Sequence, residues 1–417
     1  MKGAVLKPQR IAIVGAGTAG LASAIFLARQ GLSVTVFDRV ADLQPVGAGV
    51  LLQPSGMAVL HDLGLLEECT SLGAPISRLF GTSACDGGER VILDTRYADW
   101  QPNSFGLGIH RGVLMTALLN AARAASVEIQ TGLSVASFTQ MKNGVTLDGF
   151  SGEFDALILA DGTRSTLRAQ MRVKQEAKSY PWGALWAILP MLDDSDSTDL
   201  RQWYRGCHQM FGLMPTGATH AAPEQKLSSL FWSLPVADYT AWLDQGLDVW
   251  KARVSDLAGD AAQPYLAQIA SPDQLTLASY ADVKMQQWHD GRVIAIGDCA
   301  HAMSPQLGQG ANMALVDAAV LAKMWRSDDV VATFSDYEAA RRDHLRFYRQ
   351  ASRSLAPLFQ SHNHYMAWMR DIALYVARHT RIGKAQAVTT LVGARTGWLS
   401  SRYPKDRLHV WNGQSPA

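Results

Sequence analysis

Three glycines near the start of the chain have the spacing that is typical of a phosphate-binding turn. Gly15, Gly17 and Gly20 follow a short apolar run, and Asp38 lies 18 residues after Gly20. In such a turn the first glycine permits a tight bend, the second lets the backbone approach a pyrophosphate, and the third lets a helix pack closely. The helix start offers free N–H groups to phosphates, and Asp38 can accept hydrogen bonds from ribose. The pattern predicts a dinucleotide site.

The elements around these glycines support that prediction. Residues 11–14 form an apolar run typical of a strand that is buried on both faces. An alanine-rich helical pattern spans residues 21–30, Gly31 ends it, and residues 33–37 have the pattern of a second strand. A strand, a glycine-rich turn, a helix and a strand that ends in an acid form the βαβ context of a dinucleotide fingerprint.

Two later turns also follow buried strands. The apolar run 154–160 leads into Asp161 and Gly162, and the run 291–297 leads into Asp298. A loop rich in glycine and proline follows, and a helix is predicted to begin near its end, between Ala311 and Met313. An α/β fold places the carboxyl ends of its parallel strands at one edge, where ligands bind.

Composition limits the function classes. The chain has 417 residues, of which 48% are hydrophobic and 18% charged, with a formal net charge of +1. This balance gives no indication of a nucleic-acid partner. The four cysteines lack metal-ligand spacing, so we predict no metal site and a reducing, cytoplasmic environment. No signal peptide and no apolar run of about 18–20 residues are visible, so no integral membrane segment is expected.

The middle of the chain has a different sequence pattern. Residues 77–97 have the pattern of a β-hairpin that turns at Asp86–Glu89, and residues 173–285 carry short strand-like runs rich in aromatic side chains. Residues 237–270 are predicted to be helical. Five aromatic residues are candidates to line a substrate pocket, although each is individually typical of a core residue: Trp186, Trp203, Tyr204, Phe211 and Trp232.

Taken together, the three motifs resemble the class A FAD-dependent aromatic monooxygenases, the family of p-hydroxybenzoate hydroxylase and salicylate hydroxylase, over roughly residues 8–345. The resemblance implies a Rossmann-like (GR2-type) FAD-binding domain of the α/β class with an inserted mixed β-sheet substrate domain and a C-terminal helical segment. The implied division is a discontinuous FAD-binding domain (1–76, 98–172 and 286–353), a substrate domain (77–97 and 173–285) and a helical segment (354–417).

The resemblance also implies where FAD binds. Gly15, Gly17, Ala19 and Gly20 would hold its pyrophosphate, and Asp38 with Arg39 the adenosine ribose. The remaining implied FAD contacts are Arg111, Asp161, Gly162, Asp298, Pro305, Gly308, Gly310, Ala311 and Asn312. The loop from Pro305 to Asn312 would lie against the flavin ring, because its glycines permit close backbone approach. Pro305, Gly308 and Gly310 are then nearest the chemistry, and no catalytic base is assigned.

The implied reaction uses NADPH or NADH and O₂ to hydroxylate an aromatic or heteroaromatic small molecule through a flavin hydroperoxide. A Baeyer–Villiger or epoxidising enzyme on the same scaffold is the main alternative. A flavin-dependent reductase or oxidase, a halogenase and a non-enzymatic flavin-binding module are less favoured. The protein is expected to be a monomer or homodimer. The C-terminal residues match no catalytic motif; they favour a packed helical cap over a dimer surface or a membrane contact.

Overall fold

The computed structural model describes residues 8–43, 48–85, 88–191 and 198–401. Most strands belong to two large sheets, and their bounds are β1 Arg10–Val14, β2 Ser33–Asp38, β3 Gly49–Leu52, β4 Ala74–Ile76, β5 Arg78–Cys85, β6 Gly88–Arg96, β7 Gly106–His110, β8 Glu128–Thr131, β9 Phe138–Gln140, β10 Val145–Leu147, β11 Ala156–Leu159, β12 Gln175–Pro190, β13 Asp199–Arg205, β14 Gln209–Thr219, β15 Ala222–Pro235, β16 Thr276–Met285, β17 His289–Asp290 and β18 Val293–Ala295.

The helices cover both sheets and form the C-terminal part of the described chain. Their bounds are α1 Thr18–Arg29, α2 Pro54–Asp62, α3 Leu66–Leu72, α4 Arg111–Ala124, α5 Tyr239–Gln245, α6 Leu247–Ala258, α7 Gln263–Leu266, α8 Asp298–His301, α9 Gly310–Met324, α10 Val330–Phe359, α11 His364–His379 and α12 Arg381–Leu391. Among the described residues, no helix is long and apolar enough to cross a membrane.

The first large sheet has the strand order β17-β18-β11-β1-β2-β8, and every pairing except β17 with β18 is parallel. Its central strands are buried along their length, which explains their continuous apolar runs. Parallel pairing brings the carboxyl ends of β1, β11 and β18 to one edge. This arrangement confirms the predicted α/β fold and places the three sequence motifs together.

The second large sheet is mixed, with the order β16-β12-β15-β14-β13-β5-β6. The predicted hairpin is present as β5 and β6, although residues 86–87 of its predicted turn lie outside the described residues. Helices α5, α6 and α7 occupy the segment predicted to be helical, and they pack against one face of this sheet in a separate hydrophobic core. The opposite face meets the sheet of β3, β7 and β4 and the C-terminal helices.

Two sequence expectations differ in detail from the structure. The sequence of residues 133–140 favours a strand, of which the structure forms only Phe138–Gln140. Helix α10 runs unbroken from Val330 to Phe359, so the domain boundary proposed at residue 353 falls inside a helix. Val388, Leu391 and Val392 of the C-terminal segment share a buried cluster with residues of the mixed sheet and of β4, so this segment is packed onto the body of the protein.

Candidate active site

The three sequence motifs meet at the carboxyl edge of the parallel sheet. Ala160, directly after β11, donates its N–H to Val14 at the end of β1 over 2.7 Å. A Cβ on Gly15 would lie 2.4 Å from the carbonyl oxygen of Ala160, so the first turn touches the Asp161 turn. A Cβ on Gly297 would lie 2.9 Å from Cβ of Ala19, so the Asp298 turn touches the start of α1. The turns at Gly15, Asp161 and Asp298 therefore border one recess.

The glycines of the first turn have different physical roles. Gly15 has a φ of +109° and no room for a side chain, and a Cβ on Gly20 would lie 1.9 Å from the oxygen of Gly15. Around Gly17, in contrast, no described atom lies within 4 Å of where a Cβ would be. Gly17 is the N-cap of α1 and provides no side-chain cap. The open space lies beside unpaired helix N–H groups, which fits a phosphate of FAD.

The acid at the end of β2 supports the turn itself. Asp38 accepts hydrogen bonds from the N–H of Ala16 over 2.7 Å and from the N–H of Val40 over 2.9 Å. The short aspartate stem thus ties the glycine-rich turn to β2. Arg39 is exposed beside it, and Ala19 is buried in the first turn of α1.

Asp298 borders the recess. Its side chain is accessible to solvent. The surrounding protein desolvates the carboxylate and so raises its pKa, whereas the charges of His301 and Arg111 lower it. Arg111 begins α4 and is exposed, and a Cβ on Gly310, at the start of α9, would lie 4.0 Å from the Asp298 carboxylate. The Asp298 carboxylate is accessible to a ligand and lies near a cation and the N-termini of α4 and α9. This arrangement fits the polar middle of a dinucleotide.

Asp161 has an unsatisfied atom at the edge of the recess. Its Oδ1 is buried and has no hydrogen-bond partner among the described residues. Burial raises the pKa of Asp161, although Ser165, Cys299 and its own backbone counteract this by hydrogen bonding. Gly162 follows with a φ of +83° and no described atom near its Cβ position. A buried acceptor without a partner indicates a ligand donor at this place.

The loop before α9 combines open backbone with a firm anchor. Pro305–Leu307 is a 3₁₀ turn, Gly308 is exposed in the left-handed region, and Ala311 is half-buried. Asn312 is fully buried: its Oδ1 accepts from the N–H of Gln53 over 2.8 Å, and its Nδ2 donates to Leu51. The side chain of Asn312 therefore binds the loop to α2, which leaves only its backbone for a ligand.

A buried charged network, which was not predicted from the sequence, supports the Asp298 turn from behind. Asp317 accepts from the N–H of Gly297 over 2.9 Å, from Nε of Arg341 over 2.8 Å, and lies 2.6 Å from Nε2 of His301. Burial alone would raise the pKa of Asp317, but the charges and hydrogen bonds of His301 and Arg341 lower it below its ordinary value. The Asp298 turn thus rests on an ionised carboxylate.

The same network reaches the C-terminal segment. Arg341 donates to Nδ1 of His344, and Nε2 of His344 lies 2.9 Å from the carbonyl oxygen of Gly393. Burial and the Arg341 cation lower the pKa of His344 to about 3. The imidazole is therefore neutral, accepting at Nδ1 and donating at Nε2. A sequence signal existed for part of this network, because Asp317 is the one acid within the apolar helix α9.

A second hydrogen-bond chain joins the loop to the mixed sheet. Gln306 donates to Oε1 of Gln360 over 2.5 Å, and Gln360 donates to Oγ of Ser233 over 2.8 Å. Ser233 lies on β15, two residues from Phe231 on the same strand face. This face of the mixed sheet is therefore turned toward the loop.

The structure separates the five candidate lining residues. Trp203, Phe211 and Trp232 are buried in the core formed with α5–α7, on the face turned away from the loop. Tyr204 lies on the face turned toward the loop, which we call the near face. Its ring is buried against Phe359 and the Arg370 guanidinium. Trp186 is half-buried on the near face. Of the five, Trp186 is the one that lies on the face turned toward the loop with its ring partly exposed.

Trp186 belongs to an aromatic cluster that could not be predicted from local sequence pattern. Its ring centroid lies 5.1 Å from that of Phe231, and its Nε1 donates to the hydroxyl of Tyr280 over 3.3 Å. Tyr280 is on β16, more than 90 residues from Trp186, so only the pairing of β12 with β16 brings them together. Tyr180, on the same long strand β12, lies beside Gln306 and Ser304 at the loop, and burial raises its pKa to about 12.

Comparison with known proteins identifies the family. The model of the FAD binding domain matches residues 9–346. The chain is 30% identical to 3-amino-4-hydroxybenzoate 2-monooxygenase of Streptomyces cremeus, over 75% of this chain and 77% of that protein. It is 28% identical to FAD-dependent urate hydroxylase of Klebsiella pneumoniae, over 80% and 86% respectively. With 6-hydroxynicotinate 3-monooxygenase of Bordetella bronchiseptica it shares 26% identity, over 87% and 92%.

Solved structures agree with this family. The tetrameric form of 2-methyl-3-hydroxypyridine-5-carboxylic acid oxygenase superposes with a TM-score of 0.72 at 25% identity, covering 84% of this chain and 93% of that one. HpxO of Klebsiella pneumoniae, solved with FAD and uric acid, gives a TM-score of 0.75 at 21% identity, covering 92% and 97%. Because the identity to HpxO is only 21%, this second similarity supports the fold alone.

Proposed function

The chain belongs to the FAD-binding-domain family of class A flavin-dependent monooxygenases, and on this premise we propose a layout for its active site. The enzyme is an FAD-dependent monooxygenase that uses NAD(P)H and O₂ to hydroxylate an aromatic or heteroaromatic small molecule. The FAD pyrophosphate binds in the open space at Gly17, the middle of the cofactor beside Asp298, and the reactive ring against the Pro305–Asn312 backbone. The observation that carries this layout is the convergence of the three turns on one recess.

Each polar group of the recess has a part in holding FAD. The N-terminus of α1 stabilises the pyrophosphate charge, and Asp298 accepts hydrogen bonds from hydroxyls of the ribityl region. Arg111 lies near Asp298 and offers a cation to the phosphates. The N-terminus of α9 directs its positive end toward the flavin-proximal loop and favours negative charge there. Bound FAD supplies the redox chemistry that passes electrons from NAD(P)H to O₂ and delivers oxygen to the substrate.

The substrate pocket lies between the loop and the aromatic cluster of Trp186, Phe231 and Tyr280. These rings offer flat apolar surfaces, and the Tyr280 hydroxyl, which accepts from Trp186, can donate its own proton to a substrate acceptor. Burial raises the pKa of Tyr280, so this hydroxyl stays protonated and acts as a donor rather than a base. Such a pocket suits a planar ring that carries an oxygen or nitrogen acceptor. Urate and 6-hydroxynicotinate, after which two relatives are named, are rings of this kind.

We retain the division into a discontinuous FAD-binding domain and an inserted sheet domain, with the C-terminal segment packed on both. We also propose a monomer or homodimer in the cytoplasm. Three cysteines of the described chain, Cys69, Cys207 and Cys299, are free thiols in the protein interior, as expected in a reducing compartment. The net charge of +1 offers no attraction for nucleic acid.

One experiment tests the reaction, and a pair of variants tests the pocket. Purified protein is mixed with NAD(P)H, ¹⁸O₂ and a panel of hydroxylated pyridines, purines and benzoates, and product mass is measured. One ¹⁸O atom on an intact ring is expected; a ring-expanded or epoxidised product, or NAD(P)H use without oxygen incorporation into any product, would contradict the proposal.

Trp186→Leu should raise KM at least about tenfold while FAD content stays constant, because it removes most of the stacking surface. Trp232→Leu, on the opposite face of the paired strand, is the matched control: it should lower thermal stability and leave KM within about twofold. Equal KM effects for the two variants would exclude the Trp186 face as the substrate side.

A further inference from the structure

Helix α11 presents an apolar face to solvent. Six large apolar side chains recur at helical spacing and are all exposed: Tyr365, Trp368, Met369, Ile372, Tyr375 and Val376. Tyr365 is 80% exposed and Trp368 is 68% exposed, although such large rings are among the side chains that proteins bury most. We call these six residues the α11 face. A contiguous apolar patch of this kind marks an interaction surface.

The opposite side of α11 is already used. Arg370 is fully buried, donates to the carbonyl oxygen of Gly206 over 2.8 Å and to Oγ of Ser83, and pairs with Asp371. These contacts fix the helix against the mixed sheet, so it cannot roll to hide the α11 face. The face is therefore held outward by buried polar contacts.

Cations outnumber acids in the segment that carries the α11 face. None of the six residues is ionisable near neutral pH, and the one acid of the helix, Asp371, is neutralised by Arg370. Arg378, Arg381 and Lys384 lie at the C-terminal end of α11 and just beyond it, where Asp94 and Asp99 share a cleft with Arg378 and Lys384. Over residues 361–401 the sequence contains five Lys or Arg residues and one acid, a formal charge of +4 for the segment, whereas the whole chain carries +1. The segment that carries the α11 face therefore has a larger positive charge than the chain as a whole.

We propose that the α11 face docks onto an anionic lipid surface, with α11 lying in the plane of the membrane interface. Tryptophan and tyrosine, each apolar with a polar tip, suit the headgroup region, and flanking cations attract anionic lipids. The helix does not cross the bilayer. A second copy of the chain fits less well, because a two-fold contact would oppose one positively charged segment to another. The proposal does not depend on the assigned reaction.

Vesicle co-sedimentation of the full-length, FAD-loaded protein tests the proposal. Vesicles of phosphatidylcholine with about one third phosphatidylglycerol are compared with phosphatidylcholine alone. We expect several-fold more protein on the anionic vesicles, and a loss of that preference at about 1 M salt, where the Debye length is about 3 Å. The double variant Trp368→Ser, Ile372→Ser should bind about tenfold less. Leu243→Ser with Val249→Ser, exposed apolar residues on α5 and α6, is the matched control and should bind like the wild type.

The charge component is tested separately. Arg381→Ser with Lys384→Ser should reduce the preference for anionic vesicles several-fold, whereas Lys174→Ser with Arg253→Ser, exposed cations elsewhere, should not. FAD content and monooxygenase turnover in solution, measured for every variant, report whether the protein is folded. Equal binding of the α11 variant and the wild type would overturn the proposal. Light scattering that reveals a wild-type dimer which Trp368→Ser, Ile372→Ser converts to a monomer would overturn it in favour of a second copy.

Discussion

The carboxylate of Asp317, in the middle of α9, accepts a 2.9 Å hydrogen bond from the backbone N–H of Gly297, in the turn before Asp298. The same carboxylate pairs with Arg341, and both side chains are almost entirely buried. Gly297 has a φ of +58° and lies against Ala19 of α1. The position of the proposed ribityl contact, Asp298, is thus determined by a group that need not touch the cofactor.

Replacing Asp317 by Asn should destabilise the protein and weaken FAD retention. The amide keeps the shape of the carboxylate but leaves the Arg341 cation buried without its counter-charge. Loss of one partner of a buried pair costs about 3–5 kcal/mol of unfolding free energy. Urea unfolding of the apo protein and FAD content after gel filtration measure the two effects. Asp336→Asn, which breaks an exposed pair with Arg326, is the control and should cost less than about 1 kcal/mol.

The neutral His344 should make stability depend on pH. Its pKa is held at about 3 in the folded protein, against about 6.5 in the unfolded chain. Between these two pKa values the unfolded chain binds a proton that the folded chain does not bind. The contribution of His344 to the unfolding free energy is therefore complete above about pH 6.5 and is lost as the pH falls toward 3. We expect unfolding free energy, from urea titrations, to drop between pH 7 and pH 5.

The variant His344→Gln, which cannot titrate, should flatten that decline, whereas His61→Gln, at an exposed site, should leave it unchanged. An identical pH dependence in the wild type and His344→Gln would refute the assignment of the proton to this imidazole.

Two glycine variants should separate cofactor binding from folding. At Gly17 an added methyl meets no described atom, so Gly17→Ala should change apo stability by no more than about 1 kcal/mol while lowering FAD affinity at least about tenfold. At Gly20 the same methyl would collide with the oxygen of Gly15, so Gly20→Ala should cost about 1–3 kcal/mol in the apo protein. Apo melting temperature and FAD titration by flavin fluorescence distinguish the two; tight FAD binding by Gly17→Ala would place the pyrophosphate elsewhere.

Breaking the chain from Gln306 to Ser233 should affect the reaction more than cofactor binding. Gln360→Leu removes the group that accepts from Gln306 and donates to Ser233, so the loop loses its tie to the substrate sheet. We expect unchanged FAD content and a several-fold larger fraction of NAD(P)H oxidised to hydrogen peroxide without product. Gln263→Leu, which removes an exposed hydrogen bond to Ser255, should behave like the wild type.

The sequence predicted the features that depend on local pattern. The glycine spacing at 15, 17 and 20, the apolar runs of β1, β11 and β18, and the hairpin of β5 and β6 follow from residue types close together in the chain. Order along the chain was also informative, since buried parallel strands bring their carboxyl ends to one edge.

Features that depend on which face of a sheet meets which partner could not be predicted. Trp203 and Trp186 are both aromatic residues on strands, and only the packing of α5–α7 distinguishes the core face from the near face. The pairing of Trp186 with Tyr280 requires strands β12 and β16 to be neighbours. Arg341 lies in a helix rich in arginine, so nothing in its local sequence marks it as the partner of Asp317.

The strand order of the parallel sheet has a consequence for biosynthesis. Its three adjacent central strands begin at residues 10, 156 and 293, so β11 pairs on one side with the start of the chain and on the other with a strand made much later. The ribosome must synthesise the chain from Arg10 of β1 to Gly310 at the start of α9 before the recess has all its walls. Flavin loading is therefore a late step in the life of the nascent chain, because β16 of the mixed sheet and β18 of the parallel sheet are made almost together.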